Sequence, residues 1–202
     1  VEALIRWQHP GRGLIPPLAF LPGIEGHAIS LKLGEWVIDT ALSQISQWRG
    51  IGIKLPISVN ISAYQLQQAN FTTRLAALLT AHPKVKTHYL ELEILETSAL
   101  NDISQVSTTM KACQKLGVRF ALDDFGTGYS SLTHLRRLPA YLIKIDQSFV
   151  HDMLEDADDL AIVEGVVGLA KAFQREVIAE GVETIAHGVA LLQLGCELAQ
   201  GY

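Results

Sequence analysis

The sequence predicts an α/β protein of the TIM-like (β/α)8-barrel class, on three observations. Short apolar, β-branched runs alternate with longer runs at helical period, the pattern of βαβ units and a parallel sheet. Seven strand-like runs fit in 202 residues, near the density of an eightfold barrel, which takes about 250 residues. A polar or charged side chain recurs in every strand-like run, mostly near its end, where a barrel gathers its active site. An open doubly wound sheet shares the alternation and is the alternative.

The first strand-like run is 1–7 (VEALIRW). His9 to Pro22 follows, with Pro10, Pro16, Pro17 and Pro22 beside Gly11 and Gly13, and reads as a loop. Residues 29–49 carry Leu31, Leu33, Val37, Ile38, Leu42 and Ile45 at helical spacing. The second strand is 57–61 (ISVNI), followed by a helix over 70–81 that stops at Pro83. The third is 89–94 (YLELEI); its helix, 101–116, starts after a capping Asn101 or Asp102 and stops at Gly117. Strands 118–123 (VRFALD) and 141–145 (YLIKI) precede a helix over 157–173 that begins after Asp156. Strand 176–180 (EVIAE), a helix over 184–194 ending at Gly195, and strand 196–200 (CELAQ) complete the order.

Composition narrows the function classes. Apolar residues make up 49% and charged residues 18%, which fits a globular domain. Charge interrupts every apolar run well before the ~18 residues a membrane span needs, and no signal peptide is visible. Cys113 and Cys196 show no ligand spacing and read as buried thiols of a cytoplasmic protein. The seven histidines likewise show none. No HExxH, GxSxG or GxxxxGK occurs, so zinc-protease, serine-hydrolase and P-loop readings have no support. The net charge is −5, whereas a protein that grips a DNA or RNA polymer by its phosphates is normally basic. An anionic nucleotide would have to be held through local divalent cations. The chain opens at Val1 inside an apolar run and stops at Tyr202 just past another. It reads as one domain over 1–202, truncated at both ends, with the eighth barrel unit outside it.

The strand ends carry the chemistry. Glu2 lies in the first run, Asn60 and Glu93 near the ends of the second and third, and Asp123 with Asp124 closes the fourth. Lys144, Glu180 and Gln200 stand near or at the ends of the last three. One such group alone is usually a helix cap or a solvated turn; recurrence along the sheet argues for more. Crowded carboxylates raise one another's pKa values, and hard cations such as Mg²⁺ or Mn²⁺ relieve that. Adjacent Asp123 and Asp124 suit two metals a few Å apart, the clamp used for phosphoester cleavage. In 123–131 (DDFGTGYSS), Gly126 and Gly128 allow tight turns and close approach to a ligand. Glu96 could accept hydrogen bonds from that loop or cap a surface helix.

These motifs, in this order, resemble the EAL family. Glu2-Ala3-Leu4 followed by Arg6 and Trp7 matches the signature that names it. So do Val59 to Ser62, Glu91 to Glu93 with Glu96, Asp123 to Leu132, Ile143 to Asp146, Ala179 to Glu183, and Gln200 to Tyr202. The resemblance implies a metal-dependent phosphodiesterase that cuts cyclic di-GMP to linear pGpG, with two Mg²⁺ or Mn²⁺ ions per site. It implies Glu2, Asn60, Glu93 and Asp123 as ligands of the first metal, with Asp123 bridging to a second at Asp124. Lys144 matches the lysine at the attacking water or phosphate, and Glu180 a general base or second-metal ligand. Leu4, Arg6 and Gln200 match substrate or near-metal contacts, and Glu96 the residue that fixes the 123–131 loop. Asp146 and Glu183 match supporting positions around the site. Leu95 and Thr97 depart from the family's common Thr and Ser, and neither is a matched ligand.

The same resemblance implies a homodimer and an upstream sensor or diguanylate cyclase (GGDEF) domain. Some family members bind cyclic di-GMP as receptors without cutting it. Those typically lack a matched carboxylate or the intact loop, and here every matched position is filled. Without the family's flanking strands and helices the sheet keeps an open edge, so the 202-residue segment alone is expected to be unstable.

Overall fold

The computed structural model describes residues 1–99, 102–127 and 132–201. In chain order its elements are β1 (Glu2–Ala3), β2 (Trp7–His9), β3 (Gly13–Ile15), α1 (Ala28–Gly50), β4 (Ile57–Asn60), α2 (Ala63–Leu66), α3 (Phe71–Ala81), β5 (Leu90–Leu95), α4 (Glu96–Ala99), α5 (Ile103–Lys115), β6 (Arg119–Phe125), α6 (Leu132–Arg137), β7 (Leu142–Ile145), α7 (Gln147–Asp152), α8 (Ala157–Ala172), β8 (Glu176–Ala179), α9 (Ile185–Leu194) and β9 (Leu198–Ala199). They fall into two compact units, Val1–Glu93 with Thr108–Arg119, and Ile94–Ser107 with Phe120–Tyr202.

In the first unit β1, β4 and β5 pair in parallel, with Glu2 opposite Ser58 and Asn60 opposite Glu93. Helix α1 packs on β4 and α3. Its buried residues Ile38, Ala41, Leu42 and Ile45 repeat at i, i+3, i+4 and i+7, one stripe along a 3.6-residue period. Burying each large aliphatic chain there contributes about 1.5–3 kcal/mol. Cys113 is a buried free thiol, and burial pushes its pKa up to about 11, which leaves it unreactive near neutrality.

The expected strand over 1–7 breaks after Ala3, and part of the expected loop is a hairpin. Trp7–His9 runs antiparallel to Gly13–Ile15. The His9 ring closes the turn, with Nδ1 accepting from Gly11 N at 3.0 Å and Arg12 N at 3.1 Å. Trp7 packs edge-on to Phe20, with ring centroids 5.8 Å apart. A side chain supplies the acceptor that Pro and Gly density in the sequence concealed.

In the second unit β6, β7, β8 and β9 pair in parallel. Strand β7 is buried along its whole length, as expected of a parallel strand with both faces covered. Helix α8 packs on β7, β8 and α7 through a stripe of Val163, Val166, Val167 and Ala170. Asp156 caps its N-terminus by accepting from Asp158 N at 2.8 Å, and Asp158 and Asp159 sit in the first turn, where the helix dipole favours negative charge. Asp102 accepts from Gln105 N at 3.1 Å at the start of α5; Asn101, the other candidate cap, lies outside the described residues.

The long helices and the parallel strands fall within about two residues of the expected bounds, save the broken first strand. Among the described residues four α-helices, α2, α4, α6 and α7, lie outside the expected ones, each six residues or fewer. One helical turn is too short to show a hydrophobic period. Among the described residues no helix is long and apolar enough to cross a membrane.

Candidate active site

The first unit presents polar side chains in two rows, because alternate residues of a strand share a face. Ser58 and Asn60 alternate on β4, and Glu91 and Glu93 alternate on β5. In the upper row, Asn60 Nδ2 donates to Glu2 Oε1 at 2.8 Å. Glu93 is 2% exposed, and its carbonyl accepts from Ile61 N at 2.8 Å. In the lower row, Ser58 Oγ donates to Glu91 Oε1 at 2.6 Å. The Asn60 amide thus spends its donor on a carboxylate, which frees its oxygen for a cation. Leu4 and Arg6 lie beyond β1 and are exposed, and Arg6 Nη1 donates to Ile5 O at 2.8 Å.

The second unit gathers Asp123, Asp124 and Glu180. One carboxylate oxygen of each lies within 4.8 Å of the others. Lys144, 2% exposed on β7, brings Nζ to 2.9 Å from Asp123 Oδ1 and 2.8 Å from Glu180 Oε1. The Asp123 contact lies off the hydrogen-bonding direction, so that buried oxygen accepts no hydrogen bond among the described residues. The register of β6 against β7 shifts between Leu122 and Phe125, and Asp124 adopts a left-handed φ of 51°. That irregularity turns two consecutive carboxylates toward one group, which a regular strand would send to opposite faces.

Asp124 shows the cost of this crowding. Burial first, then Asp123, Asp146 and Glu180, push its pKa from 3.8 to about 7. Asp146 therefore sits against Asp124. Its carboxylate also caps α7, accepting from Ser148 N at 2.9 Å and from the Ser148 hydroxyl. Its position two residues past Lys144, at the end of the same strand, was the available signal.

In the 123–131 loop, Gly126 N donates to Glu96 Oε2 at 3.3 Å. Residues 128–131 of that loop lie outside the described residues, as does Tyr202. Gln200 follows β9, and its N–H donates to Ala179 O at 2.8 Å beside Glu180. Glu183 is exposed and lines a surface cleft with His151, Leu154 and His187, outside the three clustered carboxylates.

A family model for the EAL domain matches residues 1–202. The bifunctional diguanylate cyclase/cyclic di-GMP phosphodiesterase MucR of Pseudomonas aeruginosa is 40% identical over 203 residues, covering 100% of this chain and 30% of that protein. The cyclic di-GMP phosphodiesterase PdeR of Escherichia coli K12 is 38% identical over 204 residues, again 100% of this chain and 30% of the relative. The chain thus spans under a third of the length of these two relatives. The solved PaMucR phosphodiesterase in complex with c-di-GMP superposes with a TM-score of 0.93 at 40% identity, over 100% of this chain and 81% of that one. The FimX EAL domain from P. aeruginosa bound to c-di-GMP gives 0.91 at 25% identity, over 100% and 80%. The expected TIM-like barrel class is borne out over the whole sequence, and the chain belongs to the EAL domain family.

Proposed function

We propose that the chain hydrolyses cyclic di-GMP to linear pGpG with two divalent cations, Mg²⁺ or Mn²⁺. The observation that carries this reading is the Asp123–Asp124–Glu180 group, three carboxylate oxygens within 4.8 Å of one another. The group fits a cation on its own geometry. Its donors are hard oxygens, and burial and crowding drive Asp124 toward its protonated form. The relatives named as cyclic di-GMP phosphodiesterases and the structures solved with that nucleotide support the substrate.

When bound, the cations would lower the pKa of a water toward neutrality and offset phosphodiester charge. Asp123 and Asp124 of the second unit would hold a cation, with Asp146 beside Asp124, and Glu2, Asn60 and Glu93 of the first unit would supply further cation ligands. Glu180 accepts the proton of the attacking water. The new P–O bond forms in line as the bond to the 3′ oxygen breaks, and the proton taken up by Glu180 is returned, through solvent, to that oxygen. Lys144, poised between Asp123 and Glu180, turns its ammonium to the phosphoryl oxygens as their charge grows. Arg6 holds a phosphate, Leu4 and Gln200 contact the nucleotide, and Glu96 and Glu183 support the loops. The protein acts in the cytoplasm as a homodimer, with sensor or GGDEF domains elsewhere in the polypeptide.

The test is incubation of the full-length protein with cyclic di-GMP and Mg²⁺ or Mn²⁺, followed by chromatography for pGpG. Cation-dependent product is expected. Tight binding without product would replace the hydrolase with a receptor.

A further inference from the structure

Glu180 is the one member of the clustered carboxylates outside a strand; it begins the turn between β8 and α9. Something must hold that turn if the carboxylate is to stay within reach of Lys144 and the two aspartates. We propose that Gly201, with the backbone of Gln200, is the positioning element for Glu180. The proposal rests on the reading of Glu180 as proton acceptor.

The Gln200 backbone bridges the turn. Its N–H donates to Ala179 O at 2.8 Å, and its carbonyl accepts from Val182 N at 3.0 Å. One residue thus ties the position before Glu180 to the position two after it. Glu180 N itself donates to Ile145 O at 3.2 Å. The splint requires the next residue to lack a side chain. A Cβ on Gly201 would sit 2.6 Å from the Val182 carbonyl carbon and 2.7 Å from its nitrogen, both backbone atoms that cannot rotate away. The other flank is equally tight. Gly181 has φ 69°, and a Cβ there would lie 2.7 Å from Gln147 Cβ. By contrast, a Cβ on Gly188, a few residues on, meets nothing within 4 Å. Around this turn the tight glycines are Gly181 and Gly201, and at Gly201 the obstacle is backbone.

A methyl group at position 201 must displace Val182 by about an ångström to reach ordinary contact. The displaced segment begins two residues after a carboxylate that sits 2.8 Å from Lys144 Nζ. Misplacing a reacting group by about 1 Å costs on the order of 10²-fold in rate. Gly201→Ala is therefore expected to lower kcat about 10²-fold while KM stays near its original value.

The experiment uses the full-length protein with cyclic di-GMP and Mn²⁺. Gly201→Ala, Glu180→Gln and the double variant are compared, with Gly188→Ala as the control glycine replacement. The double variant is expected to be no slower than Glu180→Gln alone, because the two changes act through one group. Hydrogen exchange on the unmodified protein gives a readout independent of activity and of variant folding: the Val182 amide should be protected to the level of the β8 amides. Unchanged kcat in Gly201→Ala, additive losses in the double variant, or a Val182 amide exchanging at open-loop rates would overturn the proposal. Wild-type turnover in Glu180→Gln would remove the role of Glu180 itself, and the proposal with it. A loss in Glu180→Gln without one in Gly201→Ala removes only the positioning role.

Discussion

The two units satisfy their strand-end carboxylates in opposite ways. In the first, neutral donors on β4 do the work: Asn60 bonds Glu2 and Ser58 bonds Glu91. In the second, Asp123 and Glu180 share the Lys144 ammonium, and burial and the neighbouring carboxylates push Asp124 up to about 7. Carboxylates pressed against one another favour a proton or a cation. The contrast predicts that removing a charge in the second unit costs more turnover than removing a neutral donor in the first.

The largest effect that tests this is Asp123→Asn. It keeps the shape and removes the charge, and should lower pGpG formation by about 10³-fold, as expected when a central electrostatic group of a dry site is lost. Asn60→Ala should act more weakly, weakening Mn²⁺ binding by about 10–100-fold, since it removes the group that orients Glu2 together with one candidate ligand oxygen. Titration calorimetry with Mn²⁺ measures it. If Asn60→Ala cost as much turnover as Asp123→Asn, the two groups would not differ in the way their contacts suggest.

The pH dependence of stability comes next. Asp124 has a folded pKa of about 7 against an ordinary 3.8. The native state therefore holds that proton more tightly than the unfolded chain does. The resulting stability is fully present below about pH 4 and is lost as pH rises through about 7. In cation-free buffer the melting temperature should fall between pH 5 and 8, and Asp124→Asn should flatten that fall. Added Mn²⁺ should raise the melting temperature more at pH 8 than at pH 5, because at pH 5 it must first displace the proton. An equal Mn²⁺ effect at both values would remove Asp124 from the cation site.

What the sequence made legible follows the same division. The seven parallel strands and the residues at their ends were readable because a strand's period and its terminal polar residue are local features. The place of Asp146 was half readable: it follows Lys144 by two residues, but its meeting with Asp124 also depends on a left-handed residue and a register shift between strands β6 and β7. The contact of Gly201 with Val182 joins positions 19 apart through backbone geometry, which no side-chain pattern announces. The β2–β3 hairpin was hidden for a third reason: its turn is organised by the His9 ring, within a stretch whose Pro and Gly content argued for a loop.

The smallest expected effect asks whether the difference between units extends beyond their carboxylates. Each unit has a hydroxyl cap just past a strand end. Ser62 accepts from Gln65 N at 3.2 Å at the start of α2, and Thr184 accepts from His187 N at 3.2 Å at the start of α9. Both caps satisfy a helix N–H that would otherwise lack an intrahelical partner. Ser62→Ala and Thr184→Ala should each lower stability by about 1 kcal/mol, read from denaturant midpoints at constant slope, with turnover unchanged. Equal losses would confine the asymmetry to the charged groups. A much larger loss at Thr184, accompanied by slower turnover, would mean that the turn carrying Glu180 is held from its α9 end as well as by Gly201. The cap would then belong to the same positioning device, and the second unit would differ from the first in its backbone as well as in its charge.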